Sequence, residues 1–207
     1  MKILFFGDSI TDAHRDREKP HHLYGLGTGF VNGVASRLAA KAPDKYEILN
    51  RGISGNRVVD LYARIKVDAW NEAPDVISIL VGVNDVWHGI FGDNGVELDR
   101  FARVYRMLIE DTQKALPDVK LILCEPFFLD GAATHEAFDK FRAVYDYAAT
   151  VKKLAAAYGL PFVALQAPLD RAAAAYGAER ILADGVHPAL AGAAIIAEEW
   201  LKVFETM

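Results

Sequence analysis

The chain has 207 residues, 52% of them hydrophobic and 25% charged, with a formal net charge of -5. Such a length and composition suit one globular domain over residues 1 to 207, able to bury roughly 70% of its unfolded surface. The negative balance and the lack of a Lys/Arg stripe oppose a nucleic-acid partner, and no segment approaches the ~20 apolar residues of a membrane span.

The first predicted element is a strand, Lys2 to Gly7. Its apolar part, Ile3 to Phe6, halts at Gly7-Asp8 and is too short for a secretory signal core, so a cytoplasmic protein is expected. A polar loop, Ala13 to Tyr24, follows. It holds His14, His21 and His22 without the spacing of a metal site, and its length makes it a candidate rim or lid. A helix is expected at Gly29 to Lys41, a strand at Tyr46 to Asn50, a helix at Arg57 to Glu72 and a strand at Val76 to Val81. Beyond these come a helix at Asp99 to Ala115, a strand at Val119 to Cys124, a helix at Ala137 to Tyr158 and a strand at Phe162 to Leu165. A last helix, Leu190 to Phe204, closes the chain.

The helices show apolar residues at three- and four-residue spacing, whereas the strands are short runs rich in Val, Ile, Leu or Phe. Pro43, Pro74, Pro117 and Pro161 each end a helical stretch just before a strand. This alternation predicts an α/β three-layer sandwich: a five-stranded parallel sheet with helices on both faces. The lone cysteine, Cys124, sits at the end of an apolar run and is expected to be buried. Ala172 to Ala175 is good helix material.

In open parallel sheets, chemistry gathers where loops leave the carboxyl ends of the strands. Three such segments are Gly7-Asp8-Ser9-Ile10-Thr11, Asn50-Arg51-Gly52-Ile53-Ser54-Gly55-Asn56 and Gly82-Val83-Asn84-Asp85. Ser9 stands two residues past a buried strand, where its hydroxyl is held on rigid backbone. A serine becomes nucleophilic when a histidine accepts its proton and a third group fixes that histidine's tautomer. Asp184-Gly185-Val186-His187-Pro188 supplies both partners on one loop, although Asp184 alone would also suit a turn cap. The tetrahedral intermediate needs donors, each worth ~3 kcal/mol of barrier. The candidates are the backbone N–H groups of Ser9 and Gly55 and the side-chain amide of Asn84.

Gly-Asp-Ser, Asn-x-Gly-x-x-Gly, Gly-x-Asn-Asp and Asp-x-x-His, in this order, resemble the SGNH (GDSL-type) hydrolases. The blocks span residues 7 to 188, and the only departure is Ile10 where leucine is frequent. The resemblance implies a flavodoxin-like strand order and a serine esterase. Its catalytic residues would be Ser9, Asp184 and His187, with an oxyanion hole of Ser9, Gly55 and Asn84. It implies no cofactor and no metal. Leu26-Gly27-Thr28-Gly29-Phe30 and Asn84-Asp85-Val86-Trp87 look like a branch containing intracellular acetylxylan esterases, often oligomeric. That implies a small ester substrate, an acetylated xylo-oligosaccharide. Other branches act on lysophospholipids, lipids and thioesters.

Trp87, His88 and Phe127 are the expected pocket-lining residues, with core packing the competing role for Phe127 and Phe128. Asp12 is expected to serve a turn or cap, and Asp85 to brace the Asn84 loop by accepting backbone N–H groups. A different class, a metal-dependent phosphotransfer or phosphoreceiver domain, would use Asp8 and Asp85 to hold magnesium. It leaves Ser9, Gly55, Asn84 and His187 without a role and lacks a lysine at Gln166-Ala167-Pro168. An idle carbohydrate-binding module would leave the same residues unused.

Overall fold

The computed structural model describes residues 1–207. Strand β1 (Lys2–Gly7) leads into a one-turn helix α1 (Ser9–Asp12), then α2 (Phe30–Lys41), β2 (Glu47–Gly52), α3 (Val58–Asp68) and β3 (Val76–Leu80). Next come α4 (Val83–Phe91), α5 (Leu98–Ala115), β4 (Lys120–Cys124), α6 (Phe138–Phe141) and α7 (Val144–Ala157). The chain ends with β5 (Phe162–Val163), α8 (Gln166–Tyr176) and α9 (Leu190–Phe204). All strands are parallel, in the order β2-β1-β3-β4-β5, so the sheet is the flavodoxin-like one expected.

Because side chains alternate across a strand, each strand feeds two cores. On one face Phe5 packs against Phe30 and Trp200, with ring centroids 5.6 and 5.0 Å away. On the other, the neighbouring Phe6 lies 4.4 Å beneath the guanidinium of Arg64. Helices α2 and α9 cover the first face, and α3, α5 and α7 the second. The stripe Phe101, Tyr105, Leu108, Ile109 and Thr112 buries α5 at helical period. Ser78, a polar residue in the buried β3, accepts a hydrogen bond from Trp200 Nε1 at 2.9 Å. Cys124 is buried, and burial pushes its thiol up to about 12, so it is inert at neutral pH.

Three elements differ from the sequence expectation. The stretch read as one helix, Ala137 to Tyr158, is interrupted at Arg142-Ala143. Phe138 and Phe141 of the first piece pack on Phe128, whereas the second reaches both Phe128, through Tyr145, and Phe101, through Tyr147. The segment after β3, read as a loop, becomes α4, because Gly82 takes φ 144° and turns the chain directly into a helix. A Cβ there would stand 2.9 Å from the Pro126 ring. The alanine-rich stretch extends into α8.

Candidate active site

The carboxyl ends of β1, β2 and β3 meet beneath one cavity. The buried Asp8 caps α1, its Oδ1 accepting the Ile10 N–H at 2.9 Å, and so places Ser9 in the first turn with its N–H outside the helical ladder. Ser9 Oγ lies 2.9 Å from His187 Nε2, and His187 Nδ1 lies 2.7 Å from Asp184 Oδ2. The other carboxylate oxygen of Asp184 accepts the backbone N–H groups of Val186 and His187 at 2.9 and 2.8 Å. Asp184 therefore caps the turn and orients the ring at once. Burial alone would push its carboxyl up; the bonds from His187 and Val186 outweigh this and hold it below the usual carboxylate range.

The Asp184–His187 loop has no strand beside it and is held by another loop. Leu129 N–H donates to the Gly185 carbonyl at 2.7 Å, and Ala133 N–H to the Asp184 carbonyl at 2.8 Å. Thr134, fully buried, donates its hydroxyl to the Leu129 carbonyl at 2.6 Å and accepts from the Gly131 N–H at 2.9 Å. Gly185 takes φ 100°, and a Cβ there would meet the Leu129 carbonyl oxygen at 2.7 Å. Sequence reasoning passed over Thr134, since a threonine in a loop carries no motif.

Gly55, at φ 82°, presents its N–H between neighbours that are tied down. Ser54 donates its N–H and hydroxyl to Asp12 Oδ2 at 3.0 and 3.1 Å. The Asn84 amide donates to the Asn56 carbonyl at 3.1 Å, which leaves its second hydrogen free. Asp12, also bonded to Arg17 at 2.7 Å, is thus more than a turn residue: it pins the Gly55 loop to α1. Asp85 braces that same loop, accepting the Val58 N–H at 3.1 and 3.3 Å. The buried Asn50 ties the base of the site together, donating to the Thr11 and Leu26 carbonyls at 2.6 and 2.9 Å.

The cavity above has a volume of about 430 Å³ and is lined by Ser9, Gly55, Asn84 and His187 together with Ala13, His14, Ser54, Trp87 and His88. Trp87 packs edge-on against Phe141 and lies 6.0 Å from the His187 ring. Burial, then the charge of Arg57, holds the His88 imidazole below its ordinary range. Phe127, expected in the pocket, is fully buried in the core. Its loop does not rise from the sheet, because Glu125 N–H donates to the Val163 carbonyl and Phe128 N–H to Gln166 Oε1. Of the loop Ala13 to Tyr24, only Ala13 and His14 reach the cavity. The rest turns away: Asp16 N–H closes onto the Tyr24 carbonyl at 2.9 Å, and His21 lies 3.4 Å from Glu47. The segment forms a rim at its first two residues.

No group of three or more His, Cys, Asp or Glu side chains is placed to hold a metal ion. Asp8 and Asp85, the pair a magnesium site would use, are 0% and 1% exposed. Burial pushes their carboxyls up to about 7 and about 8. They are sealed acids under the site, not ligands facing a cleft. No helix is long and apolar enough to cross a membrane.

Residues 5–195 match the model of the GDSL-like Lipase/Acylhydrolase family. The chain belongs to that family. As a GDSL-type (SGNH) protein it is a carboxylic ester hydrolase. It is 36% identical to an acetylxylan esterase of Geobacillus stearothermophilus, over 97% of this chain and 92% of the relative. A solved structure of that esterase superposes with a TM-score of 0.86 at 36% identity and the same coverage. A GDSL-like protein of Parabacteroides merdae gives a TM-score of 0.92 at 35% identity, covering 100% of this chain and 96% of its own. Solved catalytic mutants of the Geobacillus esterase alter a serine, an aspartate and a histidine, the last two three positions apart, as Asp184 and His187 are.

Proposed function

We propose that this chain hydrolyses small-acyl esters of carbohydrate alcohols, acetylated xylo-oligosaccharides first among them, through an acyl-enzyme on Ser9. His187 Nε2 takes the proton of Ser9 Oγ as that oxygen attacks the ester carbonyl. The oxyanion that forms is received by the N–H groups of Ser9 and Gly55 and by the free hydrogen of the Asn84 amide. When the tetrahedral intermediate collapses, His187 returns the proton to the departing alcohol. Water then attacks the acyl carbonyl, giving its proton to His187. Collapse releases the acid and restores the Ser9 hydroxyl. Asp184 keeps the tautomer that leaves Nε2 facing Ser9 and stabilises the imidazolium.

The observation that carries this reading is the relay of 2.9 and 2.7 Å from Ser9 through His187 to Asp184, opening into the cavity. The lining favours a short acyl group. Of the nine lining residues only Ala13 and Trp87 are hydrophobic, whereas a long acyl chain needs a continuous wall of apolar side chains. The acetylxylan esterase relative supports acetyl and sugar as the two halves of the ester.

The test is hydrolysis of p-nitrophenyl acetate, butyrate and octanoate by the wild type and by Ser9→Ala, with and without chelator. Preference for acetate, indifference to chelator and an inactive variant are expected. A preference for octanoate would move the protein to the lipase and thioesterase side of its family, and an active Ser9→Ala would end the serine mechanism.

A further inference from the structure

The backbone just after the nucleophile is strained beside the pocket. Ala13 and His14 are consecutive residues in the left-handed region, at φ 41° and 60°. Few side chains adopt it, and histidine is among those that do so more often. The surroundings leave the pair no room to relax. The Ala13 carbonyl accepts from the Thr28 N–H at 2.8 Å and from the Thr28 hydroxyl at 3.1 Å, while the Ala13 N–H donates to the Ser9 carbonyl at 3.0 Å. Arg15 N–H donates to the Asp12 carbonyl at 2.9 Å, and Arg15 Nε to the Gly52 carbonyl at 2.8 Å. A Cβ at Gly29 would lie 2.7 Å from the Ala13 methyl group, and one at Gly27 would lie 2.6 Å from the Asp12 carbonyl oxygen. The Gly27 to Gly29 strap therefore presses directly on the strained turn.

Elsewhere around this site, where the chain needs a positive φ, it uses glycine, as at Gly55 and Gly82. At position 14 it keeps an imidazole instead, exposed and lining the cavity. Unlike the methyl group of Ala13, held in the same conformation, this side chain brings a hydrogen-bond donor and an acceptor to the cavity.

We propose that His14 is a specificity-determining residue, whose imidazole hydrogen-bonds hydroxyl groups on the alcohol half of the ester and so selects acetates of polyols over simple acetates. This rests on the serine-esterase reading of the same pocket. The acyl carbon must sit against Ser9, Gly55 and Asn84, of which Asn84 is buried. The other half of the ester extends toward the exposed rim, where His14 stands. An imidazole that donates from one nitrogen and accepts at the other matches a hydroxyl, which does both. The His88 imidazole, the Ser54 hydroxyl and the Trp87 ring add further hydrogen-bonding groups and a flat face for a pyranose.

The experiment compares kcat/KM on acetylated xylobiose with kcat/KM on p-nitrophenyl acetate for the wild type, His14→Gly, His14→Asn and Ser9→Ala, with thermal melting of each. In His14→Gly the ratio is expected to fall at least tenfold, chiefly through KM for the sugar ester, and Tm to stand at or above the wild type because glycine takes φ 60° without strain. His14→Asn tolerates the same backbone and keeps a donor and an acceptor, so it should recover part of the ratio. A ratio within twofold of the wild type in His14→Gly, with Ser9→Ala inactive, overturns the role of His14 and leaves the serine mechanism standing. An active Ser9→Ala breaks the underlying reading instead. A wild type that does not turn over acetylated xylobiose overturns the polyol selection.

Discussion

Beneath the cavity and beside it, carboxyl groups behave in opposite ways. Under the oxyanion donors, Asp8 and Asp85 are sealed from water, and burial pushes them up to about 7 and about 8. At the base loop, Asp184 is partly exposed and its hydrogen bonds keep it ionised. The first pair builds a rigid floor by accepting backbone N–H groups from Ile10 and Val58. The second steers a ring that must gain and lose charge during turnover. A carboxylate that stabilises an imidazolium has to stay charged, so it needs donors and some access to solvent; one that only shapes a loop can be buried.

This contrast can be broken from either side, and the base loop should be the more sensitive. Asp184→Asn is expected to lower kcat on p-nitrophenyl acetate by roughly 10⁴-fold with little change in KM, by the tautomer argument. A fall below tenfold would remove Asp184 from the relay. On the floor, Asn84→Ala should lower kcat by about 10²- to 10³-fold, the usual worth of one oxyanion donor. A thermal melt of that variant checks that α4 still folds, and a change confined to KM would deny it the oxyanion.

Thr134→Val removes the hydroxyl that ties Leu129 and Gly131 under the base loop. It should cost about 1–3 kcal/mol in denaturant unfolding and lower kcat more than KM is raised, while Thr134→Ser restores both. Equal behaviour of the Val and Ser variants would mean that the loop is held by its backbone bonds alone.

The smallest effect expected is on stability against pH. Asp8 and Asp85 bind protons more tightly folded than unfolded, so the stability they contribute is greatest below the ordinary value of 3.8 and declines as pH rises toward about 7 and 8. Asp184 slopes the other way: its contribution is present above 3.8 and is lost as pH falls through its lowered folded value. Asp8→Asn, which keeps the acceptor for Ile10, should therefore flatten the decline in Tm between about pH 4 and pH 7 and leave the loss below pH 3.8, where Asp184 is protonated, unchanged. An unaltered slope over that range would show that burial does not raise the Asp8 carboxyl.

The floor was legible in the sequence because its residues stand at fixed offsets from strand ends. Strands β1 and β3 are rich in Ile, Leu, Val and Phe, and Ser9, Gly55 and Asn84 follow their strands within a few residues. Asp184 and His187 were legible for a local reason as well, being three apart on one loop. What stayed hidden depends on contacts between distant segments. Thr134 matters only because Leu129 and Gly185 fold against each other, and Asp12 only because Ser54 arrives from the next strand. Phe127 misled because an aromatic after a strand end can rise to a pocket or stay down. Gln166, 38 residues away from Phe128, holds that loop down. Helix α4 was hidden by its glycine start, which reads as a turn when the Pro126 beneath it is not seen.

The most direct test of the serine relay is covalent. Diethyl p-nitrophenyl phosphate should inactivate the wild type with one diethylphosphoryl group per chain, mapped by peptide mass spectrometry to the segment holding Ser9. His187→Ala should label far more slowly, since its serine has no base. A label on another residue, or full esterase activity after Ser9 is blocked, would contradict the account.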